Sequence, residues 1–213
     1  MEELLKKYPL LKDQNVSRET ITEFESFITM LQKRNEEINI ISKETAKNEL
    51  IRERHIVDSA QIIDFVDLNN NTTSDLGTGG GFPGIIVSIM IKNMKKDTKL
   101  KLYEKSQRKS SFLREVSRKL NLDIEVIQKD IFETRELKTG TIMARAFKPL
   151  PLVLDLVYKN FTSYKNLIIF MGKSGNKILE ETLKNWELDY EKKKSITNDD
   201  SFLLNIKQIK RKN

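Results

Sequence analysis

Asp75-Leu76-Gly77-Thr78-Gly79-Gly80-Gly81-Phe82-Pro83-Gly84 is the stretch whose reading decides the fold. The residues before it, Thr72 to Leu76, read as a short strand that the glycines end. Pro83 suits the first turn of a helix, where its missing N–H costs nothing. Ile85, Ile86, Ile89 and Met90 then give that helix an apolar side. The glycines therefore sit at a strand-to-helix turn, spaced as Gly77-x-Gly79-x-Gly81 and again as Gly79-x-Gly81-x-x-Gly84. Glycine lets a backbone turn tightly and approach a ligand closely, and the second spacing is that of dinucleotide-binding turns. Alone, the same pattern also suits a purely structural turn.

Working outward, strands and helices alternate. Lys99 to Glu104 alternates as a strand does, Ser106 to Leu120 is helical with Phe112, Leu113, Val116 and Leu120 apolar, and Ile124 to Gln128 and Thr141 to Ala144 are further strands. Pro149 or Pro151 opens a helix to Lys159. Leu167 to Phe170 is a strand, residues 176 to 185 are helical, and Phe202 to Ile209 is a closing strand. Residues 187 to 193 give a weaker strand signal, and with no helix between them the last two strands are expected to form an antiparallel edge pair. Such alternation implies an α/β fold with a mainly parallel sheet covered on both faces. Upstream the pattern is helical only. Ser17 is a candidate N-cap with Glu19 in the first turn, and Ile21, Phe24, Phe27 or Ile28, and Leu31 follow at helical spacing. A second helix is expected from Thr45 to Val66, before the loop at Asn69-Asn70-Asn71. Residues 1–70 thus read as a helical extension and 71–213 as one compact domain.

The chain of 213 residues suits one sizeable core. A net charge of +7 favours polyanionic partners but also fits a lysine-rich composition. With no cysteine, disulfides, thiolate metal sites and thiol nucleophiles are excluded. Neither a leader sequence nor an apolar run long enough to span a bilayer is present, so the expected address is cytoplasmic, with no membrane association.

Two carboxylates make the glycine turn more than structural. Glu104 ends the second strand, where it can accept hydrogen bonds from both hydroxyls of a ribose. Asp130 ends the third strand and is followed by apolar Ile131 and Phe132, a combination suited to the amino group and face of adenine. Asp75 selects among nucleoside cofactors. It would repel a pyrophosphate at the helix N-terminus, whereas the ammonium and sulfonium of S-adenosylmethionine would be drawn to it. Gly172-Lys173-Ser174 resembles the end of a P-loop, but Leu167 stands where that motif needs glycine. The expected fold is the Rossmann-like class I S-adenosylmethionine-dependent methyltransferase, with a seven-stranded, mostly parallel sheet.

Acceptor chemistry narrows by elimination. Methylating a pyrimidine carbon usually uses a cysteine, absent here. Exocyclic amines commonly use an Asn or Asp-Pro-Pro-Tyr-type motif after the fourth strand, where this chain has Ala144-Arg145-Ala146-Phe147. A ring nitrogen with a free lone pair needs only proximity and orientation. Arg145 could hold a base edge or a phosphate, or serve only as a surface ion-pair partner.

These residues carry a family resemblance covering most of the chain. The segment Arg34-Asn35-Glu36-Glu37-Ile38-Asn39-Ile40-Ile41 resembles the amino-terminal Trp-Asn-x-x-x-Asn-Leu-Thr of the small-subunit ribosomal RNA guanine methyltransferase family RsmG, or GidB, with Arg34 in place of the tryptophan. Arg54-His55-Ile56-Val57-Asp58-Ser59 is similar to its Arg-His-x-x-Asp-Ser motif, Asp75 to Gly84 to its glycine loop, and Arg145-Ala146-Phe147 to its Arg-Ala-Phe. Gly172-Lys173 is shifted from the family's Lys-Gly pair. The resemblance implies methyl transfer from S-adenosylmethionine to nitrogen 7 of a guanine in 16S ribosomal RNA, free or in the small ribosomal subunit. It also implies that Gly77, Phe82, Ile131, Phe132 and Arg145 line the cofactor site. Family members often carry Arg where Asp130 stands, so here an adenine contact is expected from Asp130 instead.

The candidate cofactor-binding set is thus Asp75, Gly77, Gly79, Phe82, Glu104, Asp130, Ile131, Phe132 and Arg145. Arg145 and His55, the only histidine, are the candidate catalytic residues, His55 by positioning. A monomer without a metal is expected. Arg108, Lys109, Arg114, Arg118 and Lys119, with Lys207, Lys210, Arg211 and Lys212, are candidate phosphate tracks or simply solvated faces; Lys173 has the same two readings. A small-molecule or protein methyltransferase, or a non-catalytic RNA-binding module, are the competing functions.

Overall fold

The strand Thr72–Leu76 is buried from Thr73 onward although only its last residue is apolar, and the sheet extends on both sides of it. The computed structural model describes residues 7, 8, 16–42 and 48–212. In it β1 (Thr72–Leu76) is flanked by β2 (Lys99–Tyr103), then β3 (Ile124–Ile127), on one side. On the other side β5 (Thr141–Ala144), β7 (Asn166–Met171), β9 (Phe202–Arg211) and β8 (Trp186–Lys194) complete a seven-stranded sheet in the order β3-β2-β1-β5-β7-β9-β8. The first five run parallel, while β9 is antiparallel to both β7 and β8, as the absence of a helix between the last two strands implies. The uncertain eighth strand is real and spans nine residues. Two short strands escaped the sequence reading, β4 (Leu137–Lys138) and β6 (Phe161–Ser163), which pair outside the main sheet and are too short to show a period.

Helices cover both faces, giving two apolar cores. On one face α1 (Arg18–Glu37), α4 (Gly84–Asn93) and α5 (Gln107–Lys119) meet through Phe24, Phe27, Leu31, Ile85 and Phe112. Phe27 lies 5.4 Å from Phe82 and 6.3 Å from Phe112 between ring centroids. The helical extension therefore shares its core with the sheet domain. On the other face α6 (Leu150–Asn160) and α7 (Gly175–Leu183) pack through Leu154, Val157 and Leu179 against Leu76, Ile142 and Leu167. Ser17 caps α1 as expected, its hydroxyl accepting from the Thr20 N–H at 3.2 Å. At the other end the Asn35 side chain accepts from the N–H groups of Ile40 and Ile41 at 2.8 and 3.0 Å, folding the chain back towards the glycine loop.

The expected Thr45–Val66 helix is not one helix. Residues 45–47 lie outside the described residues. Beyond them come α2 (Asn48–Ile51), a π-helical turn at Arg52–Val57, α3 (Asp58–Ala60) and a 3-10 turn at Ile63–Phe65. In the π turn the Asp58 N–H reaches back to the carbonyl of Glu53, one residue further than an α-helix allows. Among the described residues no helix is long and apolar enough to cross a membrane.

Candidate active site

Strand order reverses around β1, since the chain steps first to β2 and β3 and later returns to β5 on the other side. Open α/β sheets leave a crevice beyond the strand ends at such a point. The glycine turn fills its floor. Gly77, Gly79 and Gly81 all take positive φ, of 65°, 58° and 95°, a region that side chains disfavour. Gly77 has a second constraint, because a Cβ there would lie 2.1 Å from Cδ2 of Phe147. The turn is tied to its neighbours. The N–H of Thr78 donates to the carbonyl of Tyr103 at 3.1 Å, and that of Gly79 donates to Glu104 Oε2 at 3.0 Å.

A cavity of ≈ 450 Å³ opens above this floor. Gly77, Gly79, Phe82, Glu104, Asp130, Ile131, Phe132, Arg145 and His55 all line it. Glu104 does so with both carboxylate oxygens already accepting one backbone N–H each, from Gly79 and from Ser106 at 2.7 Å. It is therefore held rigidly, with lone pairs left for a diol. Asp130 sits three residues past the end of β3 and caps the 3-10 turn at Ile131–Glu133, accepting from the Phe132 N–H at 3.1 Å. That bond points Phe132 towards Phe147, 6.0 Å away, and the two rings form an apolar wall.

Asp75 is the exception. The sequence places it beside the cofactor's cations, but its side chain is fully buried and does not line the cavity. Oδ2 instead accepts from the Gly84 N–H at 2.8 Å, and Oδ1 has no partner. Burial pushes its carboxyl up to about 6, against the opposing pull of the Gly84 N–H. The cause is packing. Gly84 opens α4, and the room left by its missing side chain, where a Cβ would stand 2.7 Å from Oδ2, is what the carboxylate occupies. The consequence for cofactor choice survives by another route, since Asp75 engages a helix N-terminal donor that a pyrophosphate would use.

Arg145 and His55 come together from sequence positions some ninety residues apart. Arg145 Nη1 donates to the Ser59 hydroxyl at 3.2 Å, and Nη2 lies 3.2 Å from Asp58 Oδ2 and also donates to the Arg54 carbonyl. One guanidinium thus closes on three residues of the Arg54-to-Ser59 segment. Its burial pulls the guanidinium below its ordinary pKa, and Asp58 acts in the opposite direction. Asp58 also accepts, through Oδ1, from Gln61 at 2.7 Å, Ser195 at 3.3 Å and Thr197 at 3.0 Å. His55 lies in the π turn and stacks on Phe82, with centroids 4.6 Å apart. Both ring nitrogens are buried and have no partner. Desolvation, with the nearby charges of Arg145 and Arg54, lowers its pKa to about 3, so the ring is neutral at physiological pH.

The sequence reading gave Asp58, Ile41 and Phe147 no place in this site, although all three lie inside segments quoted for other reasons. The signal available for Phe147 was Gly77, which must be small to fit it. Lys105, Lys109, Lys129 and Lys148 also line the cavity, and only Lys109 had been singled out. Lys173 stands exposed past the end of β7, outside the cavity lining.

This arrangement fits S-adenosylmethionine. Glu104, Asp130, Ile131, Phe132 and the unpartnered His55 ring lie within one lining, which brings carboxylates and apolar faces together beyond the strand ends. Known proteins agree. Residues 20–203 match the family model described as rRNA small subunit methyltransferase G. A protein of that name from Pelagibacter ubique (strain HTCC1062) is 72% identical over 213 residues, covering 100% of both chains. Among solved structures, a SAM dependent methyltransferase from Aquifex aeolicus superposes with a TM-score of 0.54 at 14% identity, covering 78% of this chain and 95% of that one. A mutant MtNAS in complex with S-adenosylmethionine gives 0.56 at 12% identity, covering 97% and 82%. The chain belongs to the rRNA small subunit methyltransferase G family, S-adenosylmethionine-dependent enzymes on a Rossmann-like fold.

Proposed function

We propose that the methyl acceptor is nitrogen 7 of a guanine in 16S ribosomal RNA. The observation that carries this is that, among the described residues, the histidine and the carboxylates around Arg145 and the glycine turn are either desolvated or already engaged. His55, at a pKa of about 3, is a poor proton acceptor at neutral pH. Asp58 is engaged by Arg145, Gln61, Ser195 and Thr197, Asp75 is buried under the loop, and Glu104 is held by two backbone N–H groups. Guanine nitrogen 7 needs no base, because its lone pair is already free. S-adenosylmethionine supplies a methyl group on sulfonium: nitrogen 7 bonds the carbon, the carbon–sulfur electron pair leaves with sulfur, and the positive charge passes to the base. The relatives' names, which specify small-subunit ribosomal RNA, support that RNA as the substrate.

The chain's own groups position the reactants. Glu104 and Asp130 hold the nucleoside end of the donor, and Gly77 and Gly79 let it approach the backbone. Asp75 acts indirectly, by fixing the glycine turn through Gly84. His55, stacked on Phe82 as a neutral ring, would offer the methionine end a donor and an acceptor without adding charge. Arg145 shapes the wall where acceptor meets donor, and Asp58, 3.2 Å away, offsets a charge that would oppose a base becoming cationic. Residues 71–213 form the methyltransferase domain, and 1–70 an extension that contributes Ile41 and His55 to the cavity. The same reading has the protein act as a monomer in the cytoplasm, where ribosomal RNA is found. The test is mass mapping of nucleosides in 16S RNA from cells with and without the gene, alongside labelled transfer in vitro. Label appearing in protein or metabolite, with 16S RNA unlabelled, would sink this reading.

A further inference from the structure

A second cavity, of ≈ 510 Å³, lies on the other side of Arg145. It shares Arg145 and Ala146 with the donor cavity and is otherwise lined by different residues, among them Arg54, Phe170, Asn198 and Ser201. We propose that this cavity receives the target guanine after it has turned out of the RNA stack, and that the Arg145–Asp58 pair and the Ser195–Ser201 segment form its reading wall. The proposal rests on the acceptor reading above.

Three observations carry it. The first is adjacency. Methyl transfer needs the reacting atoms about 3–3.5 Å apart in line, so an acceptor pocket must touch the donor cavity, and the shared wall here is two residues thick. Ala146 holds a left-handed conformation there, with φ of 47°, unusual for a residue with a side chain and common where strain is retained at functional sites. The second is pre-organisation. Ser195 and Thr197 bond to Asp58 Oδ1, the Ile196 N–H donates to Gln61 at 3.1 Å, and the Ser195 N–H donates to the Ser201 carbonyl at 2.9 Å. The far wall is thus fixed to the carboxylate that fixes Arg145. The third is chemistry. Phe170 offers a face for a base, with the guanidinium of Arg145 5.6 Å from its centroid. Three N–H groups of Arg145 are directed at Ser59, Arg54 and Asp58, which leaves Nε and the second N–H of Nη1 as donors with no partner among the described residues. Guanine presents O6, an acceptor, beside nitrogen 7, whereas adenine presents an amino donor there. A donor at the shared wall therefore selects guanine. Asp58 is a positioning residue in this scheme, since it acts through Arg145 and the wall.

The absence of cysteine gives a test that does not depend on how a bulky variant folds. Ser201→Cys places one thiol in the second cavity, and the folded protein is then alkylated with N-ethylmaleimide. Relative to the same variant before alkylation, turnover on 16S RNA is expected to fall by ~30-fold or more. Affinity for S-adenosylmethionine and for the RNA should each change by less than about twofold, because most RNA affinity comes from phosphate contacts. Turnover within about threefold of the unalkylated variant, or an equal loss of RNA affinity, would overturn the assignment. Asn198→Cys, treated in the same way, is a second entry to the cavity with the same expected loss. Wild-type protein that transferred no methyl to guanine would instead defeat the acceptor reading, and that result is seen before any variant is made.

Discussion

The two ends of the central sheet both carry cations, and they differ in what those cations touch. At the end where β1 and β2 finish, Lys109, Lys129 and Lys148 line the donor cavity, and their ammonium groups have no ion-pair or hydrogen-bond partner among the described residues. At the opposite end, where antiparallel β9 finishes, every member of the basic run is engaged. Lys207 donates to Asn166, Lys210 lies 3.5 Å from Glu187, Arg211 lies 3.6 Å from Asp155, and Lys212 donates to the Leu183 carbonyl at 2.7 Å. A charge count cannot separate these groups. Direction of the last strand does, because it carries the carboxyl-terminal cations away from the glycine turn. Lys109, Lys129 and Lys148 near the site are free to meet phosphate, while Lys105 beside them lies 3.9 Å from Asp130 and the carboxyl-terminal cations are occupied by the fold.

The sharpest way to break this comparison uses one arginine–aspartate pair from each end. Arg145–Asp58 has side chains only 16% and 15% exposed, whereas Arg211–Asp155 is 60% and 29% exposed. Arg145→Ala leaves the Asp58 charge buried and unpaired and removes the wall between the cavities. Single-turnover transfer to 16S RNA should fall by ~10²–10³-fold, or about 3–4 kcal/mol. Arg211→Ala should cost less than about 1 kcal/mol in stability and leave transfer within about twofold. Equal losses from both would mean that Arg145 is only a surface partner.

Next in size is the contrast between two glycines that follow strands. A Cβ on Gly77 would meet Phe147 at 2.1 Å in a backbone of φ 65°, while a Cβ on Gly172 would meet nothing within 4 Å. Gly77→Ala should weaken S-adenosylmethionine binding by ~10-fold or more, from about 1–3 kcal/mol of strain and clash. Adding Phe147→Ala should recover the steric part and leave the backbone part. Gly172→Ala should leave the donor affinity within about twofold, as read by calorimetry.

These contrasts also mark what the sequence makes legible. Strands β5 and β7 are readable as short apolar runs buried on both faces, β2 by its Lys–Leu alternation, and β1 chiefly by the glycines that end it. β8 is faint because Glu and Lys crowd the outward positions of Trp186–Lys194 at the sheet edge. The π turn is illegible, since Ile51, Val57, Ala60 and Ile63 satisfy an α period whether or not one residue is inserted in the ladder. Glu104 and Asp130 line the cavity because a residue just past a parallel strand must emerge at the crevice. Asp75 is misplaced because it is still inside β1, and strand alternation alone does not say that Gly84 has left it a socket. The Arg145–Asp58 pair spans 87 positions, and no local pattern announces it.

Acid stability tests the buried, uncharged character of His55. Its folded pKa of about 3 lies below the ordinary 6.5. Between those values the unfolded chain binds a proton that the folded chain does not, so stability is fully present above pH 6.5 and is lost as pH falls towards 3. Asp75 has the opposite sign. Its carboxyl is raised from 3.8 to about 6, so its cost grows as pH rises through that window. His55→Phe preserves a ring against Phe82 and removes only the first effect. Between pH 8 and pH 4.5 the variant should lose about 3 kcal/mol less stability than wild type in urea unfolding. Parallel losses in the two proteins would show that His55 protonates freely while folded.

The smallest effects bear most directly on the two ends of the sheet. Each lysine that neutralises a phosphate releases condensed counterions, so the slope of log affinity against log salt measures contacts one at a time. Lys129→Ala and Lys148→Ala should each lower the magnitude of that slope for 16S RNA by about 0.7–0.9, with losses of affinity near 1 kcal/mol at most in physiological salt. Lys210→Ala and Lys212→Ala should leave the slope unchanged, because Glu187 and the Leu183 carbonyl already hold those ammonium groups and the strand has carried them to the far end. The slope discriminates where affinity alone does not, since a variant that merely loosens the fold weakens binding without changing the number of ions released. A reversed pattern, with the slope falling for Lys210 and not for Lys129, would place the RNA across the carboxyl-terminal strand and separate the phosphate track from the donor cavity.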